Sequence, residues 1–209
     1  MRLKHFFFVL IAVASLISCD KVCDTSGLPQ HQLTADELSW AAPYMANTEW
    51  RFRNAAGYQR VYRIARSETK LEGLGGGKSS ICPNLYRQEF ESTIERTDST
   101  NIRSNQRFFM QAKINDSSSP FNGGLTWGSV SFQAPIDRLI IGGTSVGPEC
   151  ELLPQLTIGN RTYVRVLKST AGGGSAPLPR PSDPHIVYMT SEAGLIRIME
   201  RGGTVWDRQ

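Results

Sequence analysis

Histidine is scarce in this chain of 209 residues: there are three, and only His185 lies beyond residue 31. General acid–base catalysis uses histidine more than any other side chain, and transition-metal sites draw on clusters of His and Cys. The four cysteines form no C-x-x-C pair and the histidines no H-x-x-x-H pair, so neither a metal nor a cofactor is expected. Long apolar runs are absent after residue 17, which leaves no second segment of membrane-spanning length. Runs of one charge sign are missing too. Basic and acidic residues interleave, as in Arg87, Glu89, Glu91, Glu95, Arg96 and Asp98, and no basic stripe exists to follow a nucleic acid.

What is present begins with a leader. Residues 1–5 carry Arg2 and Lys4, and Phe6 to Ile17 is a run of 12 residues without a charge. As a helix this run is about 18 Å long, too short for a hydrocarbon layer about 30 Å thick, and it has the layout of a secretory signal peptide. Without residues 1–18 the chain holds 21 basic and 19 acidic residues, a net charge of +2. The nominal +4 and pI near 9.0 therefore owe much to the leader, and nucleic acid is not an expected partner.

The run closes on Leu16-Ile17-Ser18-Cys19. An aliphatic residue, a small residue and then Cys resembles the lipobox of bacterial lipoproteins. The resemblance implies that Cys19 becomes the mature N-terminus and carries fatty acyl groups of the palmitate kind. One acyl chain holds a protein to a membrane only marginally, whereas two or more anchor it stably. Residues 19–33, mostly polar with Gly27 and Pro29, read as a lipidated tether. The remainder, 34–209, reads as a single β domain.

That domain opens with Thr34-Ala35-Asp36-Glu37, a capping box ahead of a short helix over 35–42 that is expected to cover one end of the β structure. Beyond it the apolar period becomes two. Tyr86, Phe90 and Ile94 alternate with Arg87, Glu89, Glu91 and Glu95, and Phe108, Met110, Ala112 and Ile114 with more polar neighbours. Further strands are predicted over 48–53, 58–66, 69–73, 125–134, 138–141, 155–158, 162–168, 186–190, 195–200 and 204–207. Turn residues separate several of them: Asn54-Ala55-Ala56-Gly57, Gly159-Asn160, Glu192-Ala193-Gly194 and Gly202-Gly203. No connection carries a long helical pattern, so a parallel sheet is excluded. The fold class is all-β, an antiparallel meander forming a curved sheet or a partly closed barrel with one short N-terminal helix.

Catalytic patterns are thin. Gly73 to Ser80 looks like a phosphate-binding loop but has Glu72 where its first Gly belongs. Gly143-Thr144-Ser145-Val146-Gly147 matches the G-x-S-x-G nucleophile elbow, with His185 as the one base available. The elbow requires a helix directly after the serine, and Pro148 and Pro154 follow instead. Glu89 and Glu91 lie on one strand face with Cα atoms about 6.7 Å apart, the layout of a solvated face as well as of a carboxylate pair. In an oxidising compartment a disulfide is expected, with Cys82–Cys150 the favoured pair and Cys23 either single or displacing one of them.

Three segments, 47–62 (NTEWRFRNAAGYQRVY), 157–168 (TIGNRTYVRVLK) and 186–208 (IVYMTSEAGLIRIMERGGTVWDR), resemble a group of uncharacterised envelope lipoproteins of the Bacteroidetes type. They cover roughly a quarter of the chain. The resemblance implies an envelope lipoprotein with an antiparallel β fold, and it brings no catalytic residues. The resulting expectation is a lipid-anchored protein of the cell envelope, on the outer membrane facing the periplasm, with the cell surface and the inner membrane as other destinations. Its partners are the membrane, through the lipid, and an apolar ligand, a glycan or an envelope protein. Its function is that of a non-enzymatic binding or structural module; a hydrolase using Ser145 with His185, or a Glu pair, is the alternative.

Overall fold

The computed structural model describes residues 23–75, 82–99, 106–114, 121–143, 146–172 and 180–209. The leader, Cys19 and Ser145 lie outside the described residues.

Alternation builds the strands. In β2, after a two-residue β1 (Gln30–His31), the residues Glu49–Asn54 bury Trp50 and Phe52 and expose Glu49, Arg51 and Arg53. The chain continues as an antiparallel meander through β3 (Gln59–Leu74), β4 (Leu85–Arg96), β5 (Gln106–Gln111), β6 (Gly123–Trp127) and β7 (Val130–Ala134). A second meander follows: β8 (Cys150–Ile158), β9 (Arg161–Thr170), β10 (Pro184–Thr190), β11 (Gly194–Glu200) and β12 (Val205–Arg208). The two join where β12 pairs with β2, Trp206 opposite Asn54 and Arg208 opposite Phe52. The result is one sheet of 12 strands that is nearly closed into a barrel. At its far ends the Gly172 N–H donates to the Ser131 carbonyl at 3.1 Å, and the Cys150 thiol donates to the Gln133 carbonyl at 3.4 Å.

The interior is filled. Tyr44, Trp50, Phe52, Tyr62, Phe90, Phe108 and Phe132 are each at most 2% exposed. Tyr44 stacks on Phe108 with ring centroids 3.8 Å apart and meets Trp50 edge-on at 5.1 Å. Each buried ring contributes on the order of 2–3 kcal/mol through area removed from water. Tyr44 arrives from α1 (Ala35–Ala41) and the 3₁₀ turn after it (Ala42–Tyr44), so the short helix plugs one end of the barrel as its sequence predicted. Its capping box forms: Thr34 Oγ1 accepts the Glu37 N–H, and Glu37 accepts the Thr34 N–H at 2.8 Å.

Four readings of the sequence need correction. The strand predicted over 125–134 is a hairpin, β6–β7, turning at Gly128 with φ 62°. The strand predicted over 138–141 is part of a helix, α2 (Ile136–Ile140); Pro135 precedes it, and Ile136 and Leu139, three apart, are both buried on one face. The two short strands predicted over 58–66 and 69–73 are one strand, β3, carrying a bulge at Ala65 between the pairs Ile64–Ile94 and Arg66–Thr93. The disulfide is Cys23–Cys82, with Cα atoms 5.5 Å apart, and not Cys82–Cys150. Parallel pairing of β1 with the start of β4, Gln30 opposite Tyr86, brings the N-terminal segment beside Cys82. Cys150 sits at the start of β8 and keeps a free thiol, whose pKa burial pushes up. The expected loose tether is therefore attached to the barrel from Cys23 onward, and Leu33 is already part of the core.

Candidate functional site

A broad concavity lies on the outside of the barrel. It is a groove of about 720 Å³ between the β2–β3 turn, the β11–β12 turn and the tip of the β8–β9 hairpin, with β12 as part of its wall. The hairpin tip reaches that place because its ladder breaks. Leu153 pairs with Val166 and Gln155 with Val164, but Pro154 and Arg165 between them make no pair, and Arg165 has φ 51°. Proline has no N–H to give and is tolerated in β8 because that strand is the last in the sheet. Past this bend Ile158 and Tyr163 pack with Val166, Tyr188, Ala193 and Ile196 in a second apolar cluster. Val166 and Leu167 are adjacent and both fully buried, one in each cluster, so the sheet is covered on two faces here.

Three arginines line the groove: Arg53 on the outer face of β2, Arg161 from the hairpin tip and Arg208 from β12, opposite Phe52. Arg208 is the most enclosed. It donates to the carbonyls of Ala193 and Leu195, and its guanidinium lies 5.5 Å from the Trp50 ring. Burial lowers its pKa, and the positive charge of Arg161 acts in the same direction. Arg161 lies over the Tyr163 ring at 4.9 Å. The acidic side chain lining the groove, Asp207, is taken up by a two-point ion pair with Arg197, at 2.5 and 2.9 Å.

A smaller concavity, about 340 Å³, lies over β3, β4 and β5 and holds the carboxylates singled out in the sequence. Glu89 and Glu91 do not act together. Glu91 pairs with Arg107 at 3.2 Å, while Glu89 accepts from Arg87 at 2.5 Å and lies 3.7 Å from the Lys70 ammonium. The neighbour of Glu89 is instead Glu72, across the β3–β4 ladder. Their mutual hydrogen bond raises the Glu72 pKa; for Glu89, burial opposes ionisation but the bonds from Glu72 and Arg87 outweigh it and hold its pKa low. His185 is in β10, its Nδ1 buried without a hydrogen-bond partner. Its proposed nucleophile, Ser145, is outside the described residues, so no triad geometry is defined. Among the described residues no group of three His, Cys, Asp or Glu is placed to hold a metal.

Arg53, Arg161 and Arg208 fall within the three segments singled out in the sequence, but they and Glu72 match no binding or catalytic motif, because their spacing in the chain is arbitrary. The only local signal was the pair of hairpin turns, Asn54 to Gly57 and Gly159-Asn160, which supply two rims of the groove. Comparison with known protein families, curated proteins and solved structures finds no match to this chain.

Proposed function

We propose that the chain is a lipid-anchored protein of the cell envelope whose β domain is a non-enzymatic binding module, attached to a membrane through Cys19 and working through the arginine-lined groove. The observation that carries the binding reading is the groove itself: among the described residues this concavity of about 720 Å³ offers arginines and turn backbone rather than a base, an acid and a nucleophile in mutual reach. The filled interior argues against an apolar ligand held inside the barrel.

The anchor sets an orientation. Residues 20–22 separate Cys19 from Cys23, a span of at most about 14 Å when extended. The disulfide lies at the Leu74–Leu85 end of β3 and β4, and the β2–β3 turn that borders the groove lies at the other end of β3. Sixteen strand residues make that separation about 50 Å. On this reading the groove faces away from the membrane that holds the lipid, and the outer membrane with the domain in the periplasm is the location proposed. Labelling cells with an alkyne-tagged fatty acid tests it: label in the wild-type chain and none in Cys19→Ser is expected, and an unlabelled wild type overturns the anchor.

A second reading, a hydrolase, is favoured by one observation, the Glu72–Glu89 pair with one pKa raised and the other lowered. Turnover of a chromogenic glycoside that disappears in both Glu72→Gln and Glu89→Gln would replace the binding reading with this one.

A further inference from the structure

Resting on the binding-module reading, we infer that the outer groove takes an acidic saccharide, its carboxylate or phosphate groups held by Arg53, Arg161 and Arg208. Several other described arginines are matched with carboxylates, Arg51 with Glu49, Arg66 with Glu68, Arg96 with Asp98 and Arg197 with Asp207, while others, such as Arg138 and Arg201, have no ion pair among the described residues. Arg53, Arg161 and Arg208, from distant parts of the chain, line one groove with no ion-pair partner among the described residues, the positive charge of Arg161 acts on Arg208, and the acidic side chain there is already neutralised by Arg197. Such an arrangement holds like charges together, which is unfavourable until an anion enters. Guanidinium groups present paired N–H donors that match carboxylate and phosphate oxygens in two-point contacts. Arg208 is already fixed by two backbone carbonyls and the Trp50 ring, so little side-chain freedom remains to be lost there when a ligand binds.

The saccharide part follows from the rest of the lining. Asn160, Gln209 and Thr204 bring neutral amide and hydroxyl groups suited to sugar hydroxyls. An acidic peptide fits less well: β12, at the wall, is paired on both sides by β2 and β11, which leaves no free strand edge for an extended chain to join. The volume of about 720 Å³ admits a few sugar rings.

The test is calorimetric titration of the full chain at low salt with hexagalacturonate, with a phosphate-bearing mannose oligosaccharide, with neutral maltohexaose and with hexaglutamate. At least one acidic saccharide is expected to bind about tenfold or more tightly than maltohexaose and hexaglutamate, and to weaken as NaCl rises. Uptake of the uronate alone identifies carboxylate as the recognised group, uptake of the phosphosaccharide alone identifies phosphate, and uptake of both supports the shared oxyanion chemistry. Arg53→Gln and Arg161→Gln, whose side chains line the groove without filling the core, are each expected to lower that affinity about tenfold. No binding of either acidic saccharide, equal binding of maltohexaose or hexaglutamate, or unchanged affinity in both Arg53→Gln and Arg161→Gln overturns the inference. A chain that carries lipid at Cys19 yet takes up none of the probes overturns the saccharide assignment alone; a chain that binds them but carries no lipid overturns the anchor alone.

Discussion

Glu37 shows how much one side chain does in this fold. Its carboxylate is buried, caps α1 at Thr34, and accepts from Asn122 Nδ2 at 2.8 Å, while Asn122 Oδ1 accepts the Asp137 N–H at 3.1 Å at the start of α2. Removing it deletes a helix cap and leaves buried donors without partners. Glu37→Ala is expected to cost about 2–3 kcal/mol in urea denaturation, with the larger share from the orphaned Asn122. Gly123 is constrained for a different reason. A Cβ there would stand 2.8 Å from Ile136 Cδ1, so Gly123→Val is expected to push α2 off the sheet and lower the thermal midpoint. Asp98 gives a pH signature: the hydrogen bonds from Arg96 lower its pKa, burial opposes this, and the Val61 N–H adds to the lowering. An acid with a depressed folded pKa contributes stability above its unfolded value, about 3.9, and loses it as pH falls through the folded value. The stability gap between wild type and Asp98→Asn should therefore be constant near neutrality and close below about pH 4, as denaturation at a series of pH values will show.

Among the elements, the N-terminal segment and the β8–β9 hairpin carry consequences that reach beyond their own residues. The Cys23–Cys82 bond joins positions 59 apart, a closure worth about 4 kcal/mol on chain entropy. Reduction, or Cys82→Ser, is expected to lower stability and to free residues 23–33 for proteolysis. Mass mapping after alkylation in denaturant without reductant should find Cys150 modified and Cys23 and Cys82 not; modified Cys82 would refute the pairing. The hairpin tip is held by Ile158 and Tyr163 in the outer apolar cluster. Tyr163→Ala is expected to cost about 3 kcal/mol and to dissolve the groove by releasing its rim. Element by element, strands with strict alternation, β2 and β5, were legible because one face is wetter and the other dry. The β6–β7 turn was missed because Gly128 and Ser129 interrupt an otherwise alternating apolar and polar run without the usual Asn-Gly pair. Helix α2 was missed because at five residues it is too short to display a helical period.

Across the whole molecule the decisive event is the meeting of β12 with β2, which joins two meanders and curls the sheet around the Tyr44 plug. At the same seam Arg60 of β3 lies over the Trp206 ring at 3.7 Å and pairs with the buried Glu200 at 2.7 Å. Breaking that pair leaves a buried charge, so Arg60→Ala is expected to destabilise by about 3 kcal/mol or more, measured by thermal denaturation. Local order alone, the two-residue period, the turn chemistry, the capping box and the apolar run ahead of Cys19, was enough to indicate an antiparallel β fold and to raise the expectation of an acyl site, because each depends only on neighbours a few positions apart. The sheet order, the Cys23–Cys82 bond, the Glu72–Glu89 contact and the placing of Arg53, Arg161 and Arg208 along one groove were settled only by packing. They join residues far apart in the chain, and their distances follow from which apolar faces bury one another rather than from any spacing along the backbone.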